Sequence, residues 1–173
     1  MATKKSFLIW WLGGIAIFAI SLTLHSPLAI EAVPGGILDH QAAPDAAAVN
    51  AIQGAWKEAE LIGQARLAMI SDLIFIGVYG VGCVLGGLYF KSRGSGALIV
   101  MGWIAAAMGV VFLFTDYVET ALQFVQLIRF EGSDTLAGVA SSMGPFKVLS
   151  FLVAAGVLIV ALVWERFVQG SSK

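Results

Sequence analysis

Seven polar residues in an otherwise apolar chain have the types and spacing to do chemistry: His25, Asp72, Tyr79, Asp116, Glu119, Gln123 and Lys147. Asp116 and Glu119 stand three apart, so on a helix they share a face, and Gln123 and Gln126 prolong that stripe. Asp72, Phe75, Tyr79 and Cys83 fall on one side of a second helix; Lys147, Ser150 and Ala154 fall on one side of a third. A carboxylate and an ammonium brought together away from water can relay a proton or hold a polar ligand. Carboxylates joined by His25 could also ligate a divalent metal. The stronger signature for that, Glu-x-x-His on paired helices, is missing. No facing histidine pair for haem, nucleophile elbow, phosphate loop or HExxH motif is present. The seven residues are therefore a candidate polar cluster or ligand site, with no catalytic residue, metal or cofactor assigned.

Composition says what must position them. The chain is 59% hydrophobic and 12% charged, with a mean hydropathy of +0.90. Soluble domains carry about 25% charge, so this chain belongs in lipid. Four stretches nearly free of ionisable groups, Phe7–Ile30, Leu67–Phe90, Ala97–Phe114 and Val148–Trp164, mark spans of about 7–30, 67–90, 97–120 and 144–167. About 20 helical residues cross a hydrocarbon core, and backbone amides there must bond within the segment. The fold class is all-α: an integral membrane four-helix bundle and a single membrane domain over 1–173. The bilayer is its first partner.

Counting about 20 residues from the basic ends reaches Ser26, Ser71, Asp116 and Pro145. His25, Asp72, Asp116/Glu119 and Lys147 thus fall at one height, near the opposite boundary of the bilayer. Ser141 or Ser142 is expected to cap the last span, with Pro145 in its first turn. Lys147 then sits where the helix dipole disfavours a cation, and it should seek a carboxylate among Asp72, Asp116 and Glu119.

Basic residues gather at the N-terminus (Lys4, Lys5), the second connection (Lys91, Arg93) and the C-terminus (Arg166, Lys173). The first and third connections hold only Lys57, Arg66 and Arg129. The positive-inside rule then places both termini in the cytoplasm of a bacterial inner membrane protein. The first apolar run continues past Ile20 with no obvious small-x-small cleavage site, so it is expected to be an uncleaved span. Residues 32–65 read as an outer loop followed by an amphipathic helix. That helix is expected to open at Pro44 and place Trp56 at headgroup depth; a plain extension of span two is the equal alternative. Gln123 and Gln126 suggest that span three projects beyond the lipid with a polar side. Lys91-Ser-Arg-Gly-Ser-Gly reads as a tight turn between spans two and three, and Gly82 and Gly86 allow close helix approach. Cys83 stands alone, which excludes an intramolecular disulfide.

Arg66…Asp72-Leu-Ile-Phe75-Ile-Gly-Val-Tyr79, Asp116-Tyr-Val-Glu119-Thr120 and Lys147 together resemble an uncharacterised group of small bacterial four-span membrane proteins. That group has an arginine before span two, Asp-x-x-Phe…Tyr within it, Asp-x-x-Glu-Asn late in span three and a lysine early in span four. The likeness covers about residues 62–150, and Thr120 departs from the usual asparagine. The resemblance implies the four-span topology and singles out the same polar residues, but it implies no reaction.

The sequence therefore points to an accessory or interaction protein whose partner is another membrane protein, with no nucleic-acid partner and no oligomeric state assigned. The alternatives are an ion- or small-molecule-handling protein with an outward pocket, and a metal-dependent enzyme working at lipid headgroups.

Overall fold

A computed structural model describes residues 2–93 and 96–170, the side chains of 168–170 excepted. The turn expected at Gly94 and Ser95 lies outside the described residues. The helices are α1 (Lys4–His25), α2 (Ile37–Ala42), α3 (Ala46–Glu58), α4 (Ile62–Lys91), α5 (Gly96–Arg129) and α6 (Asp134–Gly170), with a 3₁₀ turn at Ser26–Leu28. Of these, α1, α4, α5 and α6 are long and apolar enough to cross a membrane. The chain is an all-α, multi-pass membrane protein.

Local chemistry sets the boundaries. Helix α1 stops two residues before Pro27, whose ring removes a donor and disfavours helix before it. Asp45, rather than Pro44, starts α3: its side chain accepts the Ala48 N–H at 2.8 Å, and Pro44 lies outside the helix. Helix α3 is a separate element and not an extension of α4. It ends where Glu60 takes φ 60° and the Leu61 N–H reaches back to the Trp56 carbonyl at 2.7 Å. Helix α5 ends the same way, with Phe130 at φ 54° and Glu131 N–H on Gln126 O at 3.2 Å. Both are Schellman stops without the glycine that normally announces them.

The last helix corrects the sequence reading. It begins at Asp134, and Pro145 lies inside it. Ser141 and Ser142 do not cap it; their hydroxyls donate to the carbonyls of Gly138 and Val139 at 3.3 and 2.7 Å. Lys147 lies more than three turns from the helix start, so the dipole argument for its pairing falls away.

The Cα packing divides into two units. The first comprises Met1–Ile15, Gly77–Phe114 and Phe146–Lys173. Here α4 meets all three of its neighbours. Against α1 it runs antiparallel: a Cβ at Gly14 would lie 2.5–2.7 Å from Tyr79, and one at Gly82 would meet the Trp11 backbone at 2.6 Å. Against α5, Gly87 faces Gly102 and Ala106, and Gly109 faces Cys83 and Val84. Against α6 the numbering runs parallel, with Tyr79 beside Phe151 and Gly86 beside Leu158. Accordingly α4 buries 56% of its most apolar stretch, where the other spans bury 22–28%.

The second unit comprises Ala16–Ile76 and Thr115–Pro145. Its core gathers Leu28, Val33, Ile37, Trp56, Met69 and Leu127 around the α3–α4 corner. Trp56 is fully buried and its indole N–H donates to Leu28 O at 3.0 Å, so it is a core residue and not a headgroup anchor. Gly36, at φ 58°, lets the chain turn into α2, where a Cβ would press on the Leu28–Ala29 backbone at 3.1–3.4 Å.

Gly82→Val should lower stability by about 1–3 kcal/mol, because backbone cannot move aside for the added atoms. Gly156, with nothing within 4 Å, should accept alanine without loss. Thermal unfolding of both variants in the same detergent checks the contrast.

Candidate functional site

Helix α5 carries the polar stripe that the spacing implied, and every member is buried. Asp116 is 6% exposed, Glu119, Thr120 and Gln126 are fully buried, and Gln123 is 1% exposed. The helix does continue to Arg129, yet its polar side is covered and not solvated. Other elements of the second unit supply the partners that water would otherwise have given. Gln123 Nε2 donates to the carbonyls of His40 and Gln41 at 3.3 and 2.9 Å. Gln126 Oε1 accepts the Ser133 N–H at 2.9 Å, just ahead of α6. Thr120 Oγ1 donates to Asp116 Oδ1 at 3.3 Å. The Glu119 carboxylate faces Gly144, where an added Cβ would come within 3.8 Å of it.

In the same unit His25, the last residue of α1, meets Asp72 of α4. Their Nε2 and Oδ2 atoms stand 3.0 Å apart, close enough for an ion pair but not aligned as a hydrogen bond. Below them Ser21 Oγ donates to Ser71 Oγ at 2.9 Å, and Phe18 packs on Phe75 at 4.9 Å. These contacts hold one α1–α4 register. His25, Asp72, Asp116, Glu119 and Gln123 therefore belong to one unit.

Tyr79 and Lys147 belong to the other. Tyr79 is fully buried between Phe112 and Phe151, with ring centroids at 5.2 and 4.8 Å, and its hydroxyl donates to Phe151 O at 3.1 Å. Lys147 is half-buried on α6, and its carbonyl accepts the Ser150 hydroxyl at 3.0 Å.

Two polar centres escaped the sequence reading. One is His40, to which the sequence assigned no role. It is fully buried on α2, its ring 5.3 Å from that of Trp56 and its Nε2 3.2 Å from Gln53 Nε2. Burial lowers its pKa from the ordinary 6.5 to about 4. The only hint in the sequence was the face Val49–Gln53–Trp56 of α3, too apolar to stand in water. The other centre is Glu165, 2% exposed, which accepts from Lys4 Nζ at 2.6 Å and from the Tyr89 hydroxyl at 2.5 Å and lies 3.2 Å from Arg93 Nε. Its signal was a lone acid facing several basic helix ends.

Among the described residues, no three His, Cys, Asp or Glu side chains gather as metal ligands. No protein-family model, curated protein or solved structure matches the chain.

His40 makes the second unit acid-sensitive. The unfolded chain takes up a proton on this ring near pH 6.5, while the folded chain resists until about pH 4. Stability should fall as pH drops through that window, by about 1.4 kcal/mol per unit, and level off below it. His40→Phe should flatten this part of a pH–stability profile measured by thermal unfolding.

Proposed function

We propose that this chain is an accessory or interaction protein of the bacterial inner membrane, with both termini in the cytoplasm and the loop, α2 and α3 outside. The observation that carries the reading is how the polar residues of the second unit are used. His25 is held by Asp72, Gln123 by the His40 and Gln41 carbonyls, and Gln126 by Ser133. Asp134 accepts the Ala46 N–H at 2.8 Å, and Asn50 accepts the Gly132 N–H at 2.7 Å. Side chains with the chemistry to act on a substrate are thereby engaged in fixing the chain, most of them by joining segments far apart in sequence. Such a frame suits a protein that works by presenting a shape to a membrane-protein partner. The orientation rests on charge. Seven of the ten lysines and arginines lie in the first unit, which holds both termini and Lys91 and Arg93, and three in the second.

A second reading draws on the burial of Asp72, Asp116 and Glu119 within one unit. Carboxylates this shielded suit a protein that handles an ion or a small cationic molecule.

One measurement separates the two. Asp72→Asn should lower the melting temperature by several degrees, consistent with a loss of about 1–3 kcal/mol at a buried charged contact, while proteoliposomes of the wild type carry no ion flux. Flux that disappears in Glu119→Gln would establish the second reading instead. Orientation is tested in a Cys83→Ala background, since Cys83 is the single cysteine. Glu58→Cys should react with an impermeant maleimide in intact cells, and Lys5→Cys only after lysis. The reverse pattern inverts the topology.

A further inference from the structure

The first unit is strongly basic. Its one acid is Glu165, already engaged by Lys4, Arg93 and Tyr89. Lys91 closes α4 and meets no carboxylate among the described residues. Its ammonium stands over the Trp103 ring, 3.8 Å from the centroid. That contact holds the charge in place without neutralising it. Trp103 is 55% exposed on α5, so the pair stands at the surface of the bundle.

Beside Lys91 lies an open cavity of about 280 Å³ lined by Ala2, Leu88, Lys91 and Ser92. Its wall joins a basic residue, Lys91, and Ser92, whose hydroxyl donates to the Tyr89 carbonyl at 2.7 Å, to the apolar Ala2 and Leu88, the latter 44% exposed. A free inorganic anion would use only the polar half of that wall. A phosphodiester with glycerol and acyl carbons attached would use both halves. We propose that this cavity is a binding site for the headgroup of an anionic phospholipid, its phosphate on Lys91 and its glycerol region against Leu88.

Native mass spectrometry of the full chain in detergent tests this with phosphatidylglycerol, phosphatidylcholine of the same acyl chains, and inorganic phosphate. Phosphatidylglycerol should stay bound where phosphatidylcholine does not, and rising salt should release it. Lys91→Gln should weaken the binding about fivefold, since a juxtamembrane lysine contributes about a factor of that size. Lys91→Arg should restore it. Lys5→Gln, at an exposed cation that does not line the cavity, should change it by less than about twofold. Equal retention of phosphatidylcholine would overturn the proposal, whatever the folding of the variants. So would inorganic phosphate binding as tightly as the lipid, or Lys5→Gln matching Lys91→Gln, which would reduce the site to diffuse surface charge.

Discussion

Helices in hydrocarbon gain nothing by hiding apolar side chains from lipid, so α4 must be held by close contact at short range. Glycine makes that approach possible. At Gly14, Gly82 and Gly87 the neighbouring backbone fills the volume that a Cβ would need. With Gly86 lying under Leu158 and Phe7, α4 has a different neighbour on each of its sides. The aromatic contacts of Tyr79 with Phe112 and Phe151, and the glutamate at position 165, then fix heights along an axis that glycine has brought near. Larger residues at those positions would separate the helices and leave the polar contacts without reach.

The second unit solves a different problem. Its connecting segments carry polar side chains that water would normally satisfy, and it buries them together. Several hydrogen bonds there join elements distant in sequence, as Gln123 joins α5 to α2 and Asp134 joins α6 to α3. Buried polar bonds of this kind add little net stability but penalise any arrangement that leaves them open. They select one arrangement of the segments. His40 is the extreme case, a neutral imidazole packed on Trp56 where a charge would be costly.

The two units also divide the charge. Nearly all acids fall in one and most lysines and arginines in the other, so a chain with a net charge of -1 carries a strong internal asymmetry. In the basic unit a single buried glutamate draws together Lys4, Arg93 and Tyr89. That leaves Lys91, steadied by Trp103, as a cation available to the lipid.

Hydropathy alone determined that four helices cross a membrane, because lipid leaves the backbone no other way to satisfy its amides. Spacing alone placed Asp116, Glu119, Gln123 and Gln126 on one face of α5, since helical geometry is local. Only the tertiary structure decided that this face is covered, for Gln123 is met by α2 arriving from elsewhere in the chain, while Gln126 is met by the turn that follows α5. The stops of α3 and α5 were hidden for another reason: Glu60 and Phe130 adopt left-handed backbone without the glycine that signals it, closed by the Leu61–Trp56 and Glu131–Gln126 backbone hydrogen bonds. Pro145 misled in the opposite sense, reading as a helix start although α6 runs through it. Trp56 and His40 became core residues through partners at positions 28, 53 and 123, and partnership across such separations is a property of the fold that no local pattern encodes.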